Sequence, residues 1–379
     1  MLYICILIHS MIKKQLFNNV YHNRRVFITG HAGFKGSWLS LWLTKMGAIV
    51  KGYSLYPWTG PSHWNLLNLD IESINWDIGD SEKLNKEIAD FQPEIVFHLT
   101  AQAIVLKAYE NPIETYQTNV IGTLRLLEAC RKVKSIKAIV NITSDKCYNN
   151  KEWPYRYREI DIVGGYDPYS SSKACSEILT ASYRSSYFNP SEFGITHNVL
   201  IATCRAGNVI GGGDWARDRL IPNAVRAVQN NSSVLIRDSL ATRPWMHVLD
   251  ALSGYLLIGK ELFEGNVALA KPWNFGPSDD NSITITEAIE LMQTYWSDIK
   301  MDKDPVTHAH EARLLNLDCS QALIELQWKP VWKIDKVFEI TTLWYKSYIR
   351  SKAVLSSIQI NQYVKDAKKQ HLSWTKQNA

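Results

Sequence analysis

The chain has 379 residues, enough for one large domain or two medium ones with substantial cores. Its 46% apolar and 21% charged content is that of a soluble globular protein, and a net charge of +5 with no long Lys/Arg run before the C-terminal tail argues against a nucleic-acid partner. Six cysteines (Cys5, Cys130, Cys147, Cys175, Cys204 and Cys319) form no C-x-x-C pair, which points to reduced thiols in the cytoplasm and away from a disulfide framework or a metal site.

Residues 2–8 are apolar, but no basic segment precedes them, no small-residue cleavage pattern follows, and the run is too short to span a bilayer. Neither secretion nor membrane insertion is expected. Met11-Ile12-Lys13-Lys14 has the look of a cytosolic start, so residues 1–10 are expected to be either a start-site artefact or a small apolar appendage, and residues 1–23 together an N-terminal appendage to the first domain.

The first strong pattern covers residues 24–43. Arg24-Arg25 precede the apolar run Val26-Phe27-Ile28, glycines follow at Gly30, Gly33 and Gly36, and an amphipathic helical pattern runs on to Met46. This reads as strand, tight turn and helix. Gly30 and Gly33 let the backbone turn so that a pyrophosphate can approach the amides at the positive end of the helix, and Gly36 lets that helix pack against the strand. A dinucleotide site is expected. The second strand, residues 48–54, lacks the Asp or Glu that usually holds the ribose hydroxyls of NAD, and Lys51 would equally suit the 2′-phosphate of NADP. These residues leave the choice open.

Residues 74–80 are expected to form a third strand carrying Asp77 and Asp80. Asp77 is placed to accept a hydrogen bond from an adenine amino group, while Asp80 or Ser81 caps the helix of residues 81–90. Residues 93–103 read as a buried strand whose small end residues, Ala101 and Ala103, leave room for a cofactor at the carboxyl edge of the sheet. A strongly amphipathic helix runs from Asn119 to Lys132, and the strand of residues 138–143 stops at Ser144. This alternation predicts an α/β fold, a parallel sheet with helices on both faces. Beyond Arg205, Gly211-Gly212-Gly213 and a proline-punctuated run open a second, smaller lobe, and residues 273–277 are expected to return to the first sheet. Residues 365–379, polar and basic, read as a frayed tail.

Tyr169-Ser170-Ser171-Ser172-Lys173 puts a phenol and an ammonium on one helix face. A tyrosine titrates near ~10 and is a poor base at neutral pH. Lowering it by roughly three units takes about 4 kcal/mol of differential interaction, within reach of a desolvated ammonium plus a positive cofactor ring. Ser144 supplies a hydroxyl to orient a substrate alcohol. Ser144, Tyr169 and Lys173 together make a hydride-transfer site.

The glycine motif with Tyr169-x-x-x-Lys173 resembles the extended short-chain dehydrogenase/reductase superfamily, from about residue 24 to about residue 348. Within it, Gly33-Phe34-Lys35-Gly36-Ser37-Trp38, Thr143-Ser144-Asp145-Lys146-Cys147-Tyr148, Gly164-Gly165-Tyr166-Asp167-Pro168-Tyr169 and residues 205–215 are similar to the CDP-glucose 4,6-dehydratase family. The resemblance implies a Rossmann-type doubly wound parallel sheet over residues 24–204 with returns near 235–277. It also implies an interleaved C-terminal substrate-binding lobe over 205–350, and a C-terminal helix and tail over 351–379. It implies NAD, held by Gly30, Gly33, Phe34, Lys35, Gly36, Tyr53, Asp77, Ile78, Leu99, Ala101, Ala103, Tyr169 and Lys173, and a homo-oligomer, dimer or tetramer. The implied reaction oxidises C4 of the sugar, eliminates water across C5 and C6, and returns the hydride to C6. Asp145 is then the acid at the C6 hydroxyl, and Lys146, standing where the dTDP-sugar relatives have Glu, the base at C5. Asn208, Arg219, Leu220 and Arg243 are the candidates for the substrate diphosphate, with a structural salt bridge the alternative for each Arg. That the nucleotide is CDP-glucose rests on resemblance alone. Two other readings stay open. A 4-epimerase or reductase of this fold has no need of Asp145-Lys146, and a non-catalytic dinucleotide-binding sensor has no use for Ser144, Tyr169 and Lys173.

Overall fold

In the computed structural model, which describes residues 16–57, 59–239, 241–277, 282–304 and 314–376, strand β1 (Arg25–Thr29) is buried from Val26 onward. A parallel strand covered on both faces is expected to be apolar in this way. Six more parallel strands complete the sheet: β2 (Ile49–Ser54), β3 (Glu72–Asn75), β4 (Ile95–His98), β5 (Ala138–Ile142), β6 (Leu200–Arg205) and β7 (Pro272–Asn274). Their spatial order is β7-β6-β5-β4-β1-β2-β3. The order reverses between β1 and β4, and this opens a crevice at the carboxyl ends of the strands, where doubly wound folds bind ligands.

The helices α1 (Phe34–Lys45), α2 (Ser81–Phe91), α3 (Gly122–Arg131), α4 (Pro168–Ser186) and α5 (Val248–Phe263) flank the sheet. The pattern of α1 reads as amphipathic, but the helix is buried almost all round, from Gly36 to Leu43. Its outer face is covered by C-terminal elements. Trp38 donates to the Gly212 carbonyl at 2.9 Å, and Trp42 meets the rings of Tyr363 and Trp374.

Three boundaries differ from the sequence expectation. The third strand lies at Glu72–Asn75 rather than 74–80, at an exposed sheet edge, so Asp77 falls in the following loop, while Asp80, one of the two expected caps, is the N-cap of α2 and accepts from Lys83 N at 3.0 Å. β4 ends at His98, because the Asn119 side chain takes both backbone groups of Gln102 (2.8 and 3.0 Å) and turns residues 99–104 into a loop. The tail expected to fray instead forms helix to Lys369, the C-terminal part of an element spanning Ser356–Lys369, and then buries Leu372 and Trp374. The Trp374 ring stacks between Phe17 (5.1 Å) and Tyr363 (5.9 Å). Leu16, Phe17 and Tyr21, inside the segment expected to be an appendage, are buried too. Residues 1–15, with the start at Met11, and residues 377–379 lie outside the described residues.

Beyond β6, residues 205–350 contribute short strand pairs: Val209–Ile210 with Met246–His247, Thr242–Pro244 with Ser282–Thr284, and Val234–Ile236 with Met301–Lys303. The same stretch returns α5 to the sheet face. β7 joins the sheet edge with Trp273 opposite Cys204.

Asp250 pins the first turn of α5 to the C-terminal helices: its Oδ1 accepts from Val331 N at 2.7 Å and from Tyr363 OH at 2.8 Å, while Oδ2 has no partner. Burial pushes its carboxyl up to about 7, against the opposing hydrogen bonds from Val331 and Tyr363. A folded-state value raised above the unfolded one stabilises most below the unfolded value of ~4, and that contribution is lost as pH rises through about 7. Asp250→Asn keeps the Oδ1 acceptor without the buried charge. We expect it to melt higher than the parent at pH 8, by up to about 4 kcal/mol of stability, with the gap closing toward pH 4. Thermal melts across that range check this, and a pH-independent difference would contradict it.

Candidate active site

The phosphate cradle follows from three glycines. Gly30 has φ +75°, and a Cβ there would stand 2.7 Å from the backbone of Leu99 and Thr100. A Cβ at Gly36 would stand 2.1 Å from the Gly30 carbonyl oxygen, so only glycine lets α1 sit this close to the β1 turn. Gly33 caps α1 with extended backbone and no side-chain hydrogen bond, leaving first-turn amides open to an anion. The Thr100 hydroxyl beside Leu99 is buried without a partner. These features fit a dinucleotide pyrophosphate.

The ribose end is decided by burial. Lys51 does not face a ligand: it is 4% exposed and pairs with Glu72 and Glu87, each at 2.6 Å. A 2′-phosphate therefore has no claim on it. Tyr53 is buried and donates to the Asp77 carbonyl at 3.0 Å. The Asp77 side chain is exposed and accepts from Gly79 N at 2.7 Å, with Ile78 buried beside it against Gly122. Phe34 reaches Gly211, while Ala101 is half-buried and Ala103 exposed on the loop after β4.

The chemistry-bearing groups converge at the ends of β5 and α4. Asp167 caps α4 through Ser170 N at 2.9 Å, and Pro168 opens it, which aims Tyr169 and Lys173 along one buried face. Ser144 hydrogen-bonds to Tyr169 and donates to Asp145 Oδ1 at 3.0 Å. Burial pushes the Tyr169 phenol up to about 12, outweighing the opposing Ser144 hydrogen bond and the Arg219 guanidinium. The lowering expected from Lys173 together with a positive cofactor ring is not reached by the protein's own groups, among which desolvation of the phenol is the largest effect. Burial lowers Lys173 to about 8, against the pull of Glu177.

On the turn Asp145–Cys147 neighbouring side chains part. Asp145 is buried against Gly207, whereas Lys146 is half-buried and lines a cavity of about 380 Å³ with Tyr148, Asp167 and Ser170. Lys35 turns inward: its Nζ lies 3.4 Å from Tyr255 OH, and burial brings it down to about 7, with Arg219 and Lys173 acting the same way and Asp145 opposing. Arg219 pairs with Asp214 at 2.8 Å and acts on Tyr169, and Leu220 opens the next helix. Asn208 sits at φ +39° after β6. Arg243 lies on the strand Thr242–Pro244 and donates to the Thr242 carbonyl at 3.0 Å.

Sequence reasoning missed Asn119, which ties the loop of residues 99–104 to Ser172 of α4 at 2.8 Å, and the buried Glu177. A signal existed for both: each is a polar residue on the apolar face of its helix, and Glu177 follows Lys173 by one turn.

A family model described as GDP-mannose 4,6 dehydratase matches residues 27–341. The chain belongs to that family. A CDP-glucose 4,6-dehydratase of Salmonella typhimurium is 49% identical over 351 residues, covering 91% of this chain and 98% of the relative. A CDP-paratose 2-epimerase of Salmonella typhi is 25% identical over 336 residues, 81% of this chain and 94% of the relative. Among solved structures, an epimerase of Methanothermobacter thermautotrophicus matches with TM-score 0.77 at 23% identity, over 90% of this chain and 96% of that one. A dTDP-glucose 4,6-dehydratase of Bacillus anthracis in complex with NAD matches with TM-score 0.70 at 23% identity, over 87% and 98%. Both likenesses are of fold.

For this member of the GDP-mannose 4,6 dehydratase family, Tyr169→Phe is expected to fold and bind cofactor like the parent while turnover falls at least ~10²-fold, since a positioned acid or base is lost. Steady-state rates alongside cofactor titration check this. A parent-like rate takes Tyr169 out of the chemistry.

Proposed function

We propose that this chain is a CDP-glucose 4,6-dehydratase that converts CDP-glucose to CDP-4-keto-6-deoxyglucose with NAD recycled in each turnover. The reading is carried by one observation: a buried carboxylate, Asp145, shares the Ser144 hydroxyl with the phenol of Tyr169. Elimination needs an acid beside the oxidation site, and a 4-epimerase or reductase does not. The 49% identity to the Salmonella typhimurium CDP-glucose 4,6-dehydratase supports the nucleotide and the sugar.

When bound, NAD supplies a reversible hydride acceptor and a positive ring charge. Gly30, Gly33, Phe34, Lys35 and Gly36 hold its pyrophosphate end, Asp77 and Ile78 its adenosine, with buried Tyr53 bracing that loop through the Asp77 carbonyl rather than touching the ligand, and Leu99, Ala101 and Ala103 leave it room. Tyr169 takes the C4 hydroxyl proton, Ser144 aligns that hydroxyl, and the Lys173 ammonium stabilises the phenolate. The C4 ketone acidifies the C5 hydrogen, which Lys146 removes while Asp145 gives a proton to the departing C6 hydroxyl. Asn208, Arg219, Leu220 and Arg243 receive the diphosphate.

We place the enzyme in the cytoplasm as a homo-oligomer. Among the described residues no helix is long and apolar enough to cross a membrane, and the exposed apolar side chains Ile113 and Ile121, with Ile178 and Tyr187 on and just after α4, suit a face that pairs with a second copy.

The test is a panel of CDP-glucose, dTDP-glucose, UDP-glucose and GDP-mannose with NAD, read by NMR of the product. CDP-glucose should yield the 4-keto-6-deoxy sugar; a C4 epimer in its place would overturn the reading. With Asp145→Asn, a quenched single turnover should hold CDP-4-ketoglucose and almost no 6-deoxy product, elimination having slowed ~10²- to 10⁴-fold. Normal turnover would show that Asp145 is not the acid.

A further inference from the structure

Glu177 is 3% exposed, one turn beyond Lys173 on α4, and it has spent both oxygens on other segments. Oε1 accepts from the hydroxyl of Thr143, the residue before Ser144. Oε2 accepts from the Thr203 hydroxyl and from Arg205 Nη2, both on β6 and both at 2.8 Å. Arg205 is equally buried. Its Nη1 donates to Tyr148 OH at 2.7 Å and to the Glu159 carbonyl at 3.1 Å, and Tyr148 OH donates to Asn274 Oδ1 on β7 at 2.7 Å.

A buried ion pair is a weak way to stabilise a fold, since desolvation of both partners offsets their attraction and well-packed apolar residues do as well. Its geometry says what this one does. The carboxylate touches α4, which carries Tyr169 and Lys173, and the end of β5, which carries Ser144 and Asp145. It also touches β6, which leads to Gly207, the floor against which Asp145 packs. We propose that Glu177 is a positioning residue for the dehydratase reaction, holding the helix of the phenol and ammonium in register with the strand end of the serine and the acid, and facing Lys173 with a negative charge. This inference rests on the proposed function.

The charge matters because of what surrounds Lys173. The groups that act on it or feel it are Glu177 on its own helix, Cys147 on the turn after β5, His98 on β4 and Lys35 on α1, and its Nζ donates to the Ile142 carbonyl of β5 at 3.4 Å. Tyr169 and Cys147 are held protonated by burial, and burial lowers His98 to about 3, so it is neutral. Asp145, on the turn packed against α4, acts on Tyr169, Cys147 and Lys35, and Glu177 is the carboxylate that acts on Lys173. Burial works to raise it, but Arg205 and the Thr143 and Thr203 hydrogen bonds outweigh burial and keep it ionised. Without it, Lys173 would lose its proton at lower pH, and the phenolate its counter-charge.

The experiment is Glu177→Gln in the full chain, with NAD and CDP-glucose. We expect kcat to fall about 10- to 100-fold with KM for CDP-glucose within about threefold, because the binding residues are untouched while the reacting groups shift. The alkaline limb of the kcat profile should move to lower pH by about one unit. Glu177→Asp, with the charge kept but the reach shortened, should lower kcat and leave that limb in place. A folded Glu177→Gln with parent-like kcat, or with reduced kcat and an unmoved alkaline limb, overturns the proposal. If Glu177→Gln does not fold, Glu177→Asp decides it, and parent-like kcat there overturns it. A parent enzyme inert toward CDP-glucose removes the functional reading itself, whereas parent-like variants of an active enzyme remove only the role of Glu177.

Discussion

The close approach of α1 to the first strand turn is the constraint on which the site depends. With Gly30 against the Leu99 backbone and Gly36 against the Gly30 carbonyl, the helix start, the β1 turn and the end of β4 are locked within van der Waals contact. That contact leaves the first-turn amides of α1 facing the crevice where strand order reverses. It also sets where Phe34 and Lys35 reach, since both lie in the first turn of α1. Even the outer face of α1 is enlisted, since Trp38 and Trp42 carry the contacts that bring residues 212, 363 and 374 back to the first domain.

Burial then acts on the reacting groups in opposite senses. It raises the Tyr169 phenol and lowers the Lys173 and Lys35 ammoniums, in each case favouring the neutral form. The protein's own counterweights are few and specific: the Ser144 hydrogen bond and Arg219 on the phenol, Glu177 on the Lys173 ammonium, and Asp145 on Lys35.

Adjacent residues here do different work. Asp145 and Lys146 are consecutive, yet one is packed against Gly207 and the other lines an open cavity. The two residues lie on the single helical turn Asp145–Cys147, where successive side chains fan out around the turn axis. The acid and base proposed for elimination can thus approach the sugar from separate directions.

The amino-acid sequence by itself determined the parallel α/β fold, the glycine turn before α1, and the placement of Ser144 and Asp145 at a strand end and of Tyr169 and Lys173 on one helix face, because each depends on local spacing: strand and helix periods, an i to i+4 pair, a strand end. Asp80 as a helix cap was legible for the same reason. Only the tertiary structure decided that Lys51 belongs to Glu72 and Glu87, that Lys35 turns to Tyr255, that Trp374 anchors a tail of polar composition, and that Glu177 joins α4 to two strands. The physical reason is common to all four. Each depends on a partner far away in the chain, and the solvent exposure that sets a side chain's charge and contacts exists only once those distant segments have packed.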